Sequence, residues 1–131
     1  MGDKQKIKAR QIEERLLANP FQPLLWSLIS KELFFFNPGE GEKIRQSLED
    51  AGKIVRVSED LYFHADAVRS AKKLIREYIE TYGSITRTQA RDLLKSSRKF
   101  VIPLLEYLDA EGFTERRENI RVLGPNVDEK E

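Results

Sequence analysis

The chain contains no cysteine, one histidine, one methionine and one tryptophan in 131 residues. Without cysteine there is no disulfide, no thiolate zinc site and no cysteine nucleophile. The single imidazole, His64, leaves no histidine cluster for a metal and no Ser-His dyad. No apolar run approaches the roughly 18 residues of a membrane span, and the N-terminal MGDKQKIKAR lacks the apolar region of a signal peptide. These absences predict a cytoplasmic protein with no metal, no cofactor and no membrane partner. Catalytic motifs are missing too: there is no Gly-x-x-x-x-Gly-Lys-Ser/Thr loop, no His-Glu-x-x-His and no Gly-x-Ser-x-Gly. Gly39 and Gly41 in NPGEGEK superficially resemble a phosphate cradle. They lack a preceding strand, and Glu40 and Glu42 beside them would repel phosphate. Glu106 and Asp109 lie three apart on a helical pattern and read as acids of a solvated face. An enzyme is not expected.

What is present is 40% apolar and 34% charged residues, enough for one ordinary domain or two small ones. Lys4 to Asn19 has helical spacing, with Ile7, Ile12, Leu16 and Leu17 near one face, and Pro20 ends it. Pro23 to Leu33 predicts a second helix opened by its proline, and Glu40 to Ala51 a third, closed by Gly52. The period then changes: Ile54 to Val57, a polar turn and Leu61 to His64 predict a β-hairpin.

The same order follows again. Asp66 to Tyr82 reads as a helix with Asp66 as its N-cap and Gly83 as its stop. Arg87 to Leu94 follows, capped by Thr86 or Ser84, and then Arg98 to Glu111, capped by Ser97. Phe113 to Leu123 is a second hairpin turning at Glu118-Asn119. Leu48-Glu49-Asp50-Ala51-Gly52 and Leu108-Asp109-Ala110-Glu111-Gly112 end the third helix of each set, sixty residues apart. The expected fold is mainly α with small β wings: two tandem winged-helix (helix-turn-helix) domains, residues 1–65 and 66–125, with a frayed tail at 126–131.

Charge separates the two repeats. The formal net charge is only +1, but between Ser84 and Phe100 five bases (Arg87, Arg91, Lys95, Arg98, Lys99) face one acid, Asp92. The second hairpin adds Arg116, Arg117 and Arg121. Free amides and the dipole at a helix start favour an anion, and Arg98 and Lys99 stand at that start beside Ser97. Pro103 lacks a backbone donor and crowds the Lys99 carbonyl four residues back, which predicts a partly detached or kinked first turn. Phe100 is read as core rather than as a base-stacking residue. The run Phe34-Phe35-Phe36 is read as core and interdomain contact, with an exposed protein-binding patch as the alternative. Nucleic acid is the leading partner. A DNA-binding winged-helix regulator and a protein-interaction module, its basic helix meeting an acidic partner, stay open.

The stretches Ser97-Arg98-Lys99-Phe100 and Pro103-Leu104-Leu105-Glu106-Tyr107-Leu108-Asp109 resemble the last winged-helix repeat of the bacterial selenocysteine-specific elongation factors. Asp60-Leu61-Tyr62-Phe63-His64 is similar to the preceding repeat, and the resemblance runs from about Ala9 to Leu123. Phe34-Phe35-Phe36 and NPGEGE depart from the family pattern. The resemblance implies an RNA-binding function: the last winged helix binds an mRNA hairpin, the selenocysteine insertion element, and so brings the factor to a recoded UGA codon. It implies a C-terminal fragment without the family's GTPase domains. By position, Arg98 and Lys99 match the basic start of the family's recognition helix, with Ser97, Arg87, Arg91, Lys95, Arg116, Arg117 and Arg121 as further candidates. The near-neutral first repeat is then a spacer or faces the ribosome, and the chain is expected to be a monomer.

Overall fold

A computed structural model describes residues 2–129. In chain order it contains α1 (Asp3–Leu17), α2 (Trp26–Leu33), α3 (Pro38–Asp50), β1 (Ile54–Ser58), β2 (Leu61–His64), α4 (Ala65–Tyr82), α5 (Arg87–Leu94), α6 (Arg98–Ala110), β3 (Thr114–Arg117) and β4 (Ile120–Leu123). The fold is therefore mainly helical with two small antiparallel sheets, β1–β2 and β3–β4. Two compact units divide between Val68 and Arg69, inside α4. None of the described helices is long and apolar enough to cross a membrane.

In the first unit, Ala9, Ile12 and Leu16 of α1 pack with Trp26 and Ile29 of α2, with Phe34 just past the end of α2, with Ile44 and Leu48 of α3, and with Ile54 and Tyr62 of the hairpin. Ile7 and Leu17 of α1 are instead exposed, so the apolar stripe of α1 is narrower than its sequence pattern. α2 starts at Trp26 rather than at Pro23. Leu25 is still extended (φ −61°, ψ 146°) and its side chain makes no cap. Asp60 in the β1–β2 turn supplies the cap across the fold. Its carbonyl accepts from the Trp26 amide at 2.9 Å, and its carboxylate accepts from the Ser27 amide at 2.8 Å and the Ser27 hydroxyl at 2.6 Å. A local reading places the start at the proline; a partner 33 residues away moves it. α3 begins at Pro38, where the Asn37 side chain accepts from the Glu40 amide. Gly41 lies against the Phe34 ring, where a Cβ would sit 2.8 Å from two ring carbons. That close approach, not a phosphate, is what its missing side chain serves.

The second unit repeats this joinery. Gly52 (φ 70°) and Gly112 (φ 76°) both leave their helices in the left-handed region. Each is followed by the same bond back into the helix, Lys53 N–H to the Leu48 carbonyl at 2.9 Å and Phe113 N–H to the Leu108 carbonyl at 3.0 Å. Each hairpin is closed by an equivalent bond, Ala65 N–H to Lys53 O at 2.9 Å and Gly124 N–H to Phe113 O at 2.8 Å. α4 begins at Ala65, one residue before the expected Asp66 cap. His64 Nδ1 accepts from the Asp66 amide at 3.1 Å, while His64 Nε2 meets Glu13 at 2.8 Å, so the histidine is structural.

Part of the tail expected to fray makes contacts with the second unit, as far as Asp128. The Asn126 amide group donates to the Glu111 carbonyl at 3.0 Å, and Arg76 pairs with Asp128 at 2.9 Å. Lys130 and Glu131 lie outside the described residues. Phe34 is buried as expected, but Phe35 and Phe36 are 65% and 96% exposed. The three residues lie in the turn between α2 and α3, where only Phe34 points back onto the core.

Because Asp60 caps α2 from the hairpin, Asp60→Ala should lower stability by about 1–2 kcal/mol, read by chemical denaturation. Asp60→Asn, which keeps one acceptor and tolerates the left-handed backbone (φ 61°), should recover most of that loss.

Candidate nucleic-acid interface

The basic cluster is built on a helix-turn-helix. A capping box starts α5: the Thr86 hydroxyl accepts from the Gln89 amide and the Gln89 side chain accepts from the Thr86 amide. Ala90 and Leu94 face inward, leaving Arg87 and Arg91 half-buried on the outer side. Arg91 leans on Asp92 at 3.1 Å, which offsets part of its charge. Lys95 ends the helix in the left-handed region (φ 50°), a conformation normally given to glycine or asparagine, and its side chain is exposed.

α6 then starts after Ser97. The Ser97 backbone is extended, as a cap requires, but its hydroxyl makes no capping hydrogen bond. This corrects the expected cap. The Ser97 carbonyl does accept from the Phe100 and Val101 amides, at 3.1 and 3.0 Å. The Arg98 and Lys99 amides belong to the first turn, where a helix supplies no acceptor of its own. Both side chains are exposed, and Lys99 Nζ lies 5.6 Å from the Phe100 ring centroid. α6 runs unbroken through Pro103, so the first turn is not detached. Val101, Leu104, Leu105 and Leu108 are buried and hold the helix on the core; Phe100 is only half-buried.

The wing carries the remaining arginines to different fates. β3 and β4 pair with Arg116 opposite Arg121 and Arg117 opposite Ile120. Arg116 and Arg117 are exposed, Arg116 donating to the Glu118 carbonyl at 3.0 Å and Arg117 to Glu115 at 2.9 Å. Arg121 is 2% exposed and turns inward. Its Nη2 and Nε donate to Asp109 Oδ2 at 2.9 and 3.1 Å, and Nε reaches Oδ1 at 3.2 Å. Thr114, also buried, donates its hydroxyl to Asp109 Oδ1 at 2.6 Å. Ile85 exchanges both backbone bonds with Arg121, at 3.0 and 2.9 Å, adding a third short edge to the hairpin. Arg121 is therefore removed from the surface candidates. Asp109, read from sequence as a solvated acid, is its partner. Alternation along β4 carried the only hint: with Ile120 and Val122 half-buried, Arg121 occupies the opposite face.

The structure thus brings Arg87, Arg91, Lys95, Ser97, Arg98 and Lys99 onto one helix-turn-helix, and places Arg116 and Arg117 on its wing. No group of acids or histidines able to hold a metal ion occurs among the described residues. Residues 77–123, the region just described, match the family model for the winged helix of elongation factor SelB. This stretch of the chain is similar to the SelB winged-helix region. Against whole SelB-type proteins the chain is 36% identical over 69 residues to the selenocysteine-specific elongation factor of Desulfomicrobium baculatum, a match covering 53% of this chain and 11% of that protein. It is 35% identical over 80 residues to that of Escherichia coli K12, covering 61% of this chain and 13% of that protein. The chain therefore spans little more than a tenth of the length of these relatives. Its fold is similar to the mRNA-binding domain of E. coli SelB solved with SECIS RNA, with a TM-score of 0.78 and 25% identity over 95% of this chain and 99% of that one. Bacterial EF-Sec has the same fold in the corresponding part, with a TM-score of 0.74 and 22% identity over 94% of this chain and 19% of that one.

Removing one partner of the buried pair leaves the other charge unpaired, the costly case. Asp109→Ala should therefore destabilise the protein by about 3–5 kcal/mol. The double variant Asp109→Leu with Arg121→Met should lose much less, because it leaves no buried charge unpaired, and chemical denaturation of the two variants checks the order.

Proposed function

We propose that this chain is an RNA-binding part of a selenocysteine-specific translation elongation factor, and that it binds an mRNA hairpin of the selenocysteine insertion type. The observation that carries this reading is the likeness, over nearly the whole of both chains, to a SelB domain solved with its SECIS RNA. Two tandem winged helices make up the proposed architecture, the first ending near Ala65 and the second near residue 125. The second holds the RNA. In this assignment Arg98 and Lys99, with the first-turn amides of α6, grip the phosphates of the hairpin, because an anion there meets both side-chain charge and the helix dipole. Lys95 and Ser97 flank that grip, Arg87 and Arg91 extend it along α5, and Arg116 and Arg117 reach a neighbouring part of the hairpin from the wing. Arg121 contributes by anchoring the wing and touches no RNA.

The proposal makes the chain a binding module whose catalytic partners, the GTPase domains, belong to the whole factor. It is taken to act in the cytoplasm as a monomer, with the first unit serving as spacer or ribosome-facing module. A monomer also fits a single hairpin, whereas a winged-helix regulator of duplex DNA commonly pairs two copies on a palindrome.

Lys95 couples stability to function. Its left-handed backbone costs a non-glycine residue about 1 kcal/mol. Lys95→Gly should raise the denaturation midpoint while weakening hairpin binding, opposite signs that a purely structural residue would not show.

Mobility shift against RNA hairpins and DNA duplexes at two salt concentrations tests the assignment. Hairpin affinity should fall steeply with salt, and Arg98→Ala should weaken it by about 1–3 kcal/mol if the arginine reads a base edge. Lys99→Ala should weaken all hairpins alike and lower the salt slope by about one unit. Preference for duplex DNA, or affinity unchanged in both variants, overturns the proposal.

A further inference from the structure

The two units share a frame but present opposite chemistry at the same place. α3 and α6 are both 13 residues long and start sixty residues apart, at Pro38 and Arg98. Superposing the repeats by that offset sets Phe34 on Leu94, both buried, and sets exposed Phe35 on exposed Lys95. Across the turn and first helical residues, FFNPGEGE at 35–42 carries two acids and no base, against three bases and no acid in KSSRKFVI at 95–102. The formal charges are −2 and +3. The surface that is basic in the second unit is thus apolar and acidic in the first. A polyanion is disfavoured there by charge.

A cleft of about 490 Å³ opens at this turn, lined by Trp26, Lys31, Phe34, Phe35, Glu42 and Asp60 among others, so that its lining sets two carboxylates against one ammonium group. Its volume lies within the range of about 300–1,000 Å³ that ligand pockets occupy. Phe35 and Phe36 stand beside it edge to face, ring centroids 5.2 Å apart, and are 65% and 96% exposed. Two adjacent phenylalanines left in water beside a cleft lined by Trp26 are contiguous apolar exposure, the kind that marks interaction sites, rather than scattered exposure. Polar groups at the cleft are held in place. Glu42 accepts from the Trp26 indole at 2.8 Å and from Arg45 Nη2 at 2.9 Å, yet its side chain stays 52% exposed. The indole hydrogen bond, assisted by Arg45 and opposed by burial, holds its carboxyl below the ordinary carboxylate range, so it is charged at neutral pH.

We infer that the Phe35–Phe36 turn and the adjoining Trp26 cleft form a docking site for a protein segment that carries apolar side chains interspersed with lysine or arginine. The apolar side chains fill the cleft and cover the two phenylalanine rings. The cations face Glu42 and Glu40, and can lie over an aromatic face as well. This site is separate from the basic surface of α5 and α6 and stands whether or not the RNA assignment holds.

Trp26 is the single tryptophan of the chain, so its fluorescence reports on the cleft directly. Three synthetic 12-residue peptides serve as probes with the full chain: one of lysine and leucine, one of glutamate and leucine, and one of lysine and serine. An RNA hairpin is the fourth probe. The lysine–leucine peptide should shift Trp26 emission saturably, at least tenfold more tightly than the other peptides, and more weakly at high salt. Phe35→Ser with Phe36→Ser should raise its Kd at least tenfold without changing the melting temperature or hairpin affinity, since both rings are exposed. Glu42→Gln should weaken it severalfold. Equal binding of the two leucine peptides, binding that survives the double serine variant, or a saturable Trp26 response to the RNA hairpin that the double serine variant abolishes would each overturn the inference. So would sedimentation showing that the two phenylalanines instead drive self-association.

Discussion

One buried ion pair sets the geometry of the second unit. Asp109 near the end of α6 takes a forked pair of hydrogen bonds from Arg121 on β4 and a third bond from Thr114 on β3. Through its backbone, Arg121 also ties to Ile85, just ahead of α5. A single side chain and its own peptide groups thus fasten both strands of the wing, α6 and the entry to the helix before it. A guanidinium out of water is tolerable only when its donors are met, and here the carboxylate and its fixed geometry meet them. The exposed cations of the helix and of the wing inherit their spacing from that joint.

The first unit solves the same joint with the parts exchanged. Glu49 holds the place equivalent to Asp109, and again it accepts from an arginine. That arginine is Arg45 of the same helix rather than a residue of the wing. Arg45 donates to the Tyr62 hydroxyl at 2.9 Å, and its guanidinium lies over the Tyr62 ring, 5.3 Å from the centroid. Helix-to-wing fastening by an arginine and a carboxylate is kept while the direction of the bond changes. The outer surfaces are then free to diverge, basic at α6 and apolar with carboxylates at α3. The frame is repeated while its outer faces differ.

Local chemistry made much of this readable beforehand. Gly52 and Gly112, each closing a helix before a β-branched or aromatic run, announced the repeat, because few other residues accept the left-handed backbone such a stop requires. α5 matched its expected bounds because Thr86 and Gln89 form a cap that needs only near neighbours. Failures came where distance in sequence decided the outcome. The start of α2 depends on Asp60, and the fate of Arg121 depends on Asp109 and on Ile85. A charge count sees five bases near α6 and three more on the wing, but only burial separates the arginine that supports the surface from those that form it. Ser97 shows the converse: residue type predicted a cap, and the hydroxyl is left uncommitted to its own helix.

The wing turns through two residues, Glu118 and Asn119, with Glu118 in the left-handed region at φ 56°. The hairpin is anchored through Thr114 at its base and through Arg121, which pairs with Arg116 one step short of the turn; neither contact involves the tip residues Glu118 and Asn119. Insertions at Glu118–Asn119 would lengthen the wing beyond Arg116 and Arg117, which keep their pairing with Arg121 and Ile120, without disturbing the Asp109 joint. A fold arranged in this way can change the reach of its wing by small changes at one turn, while α6 stays where it is.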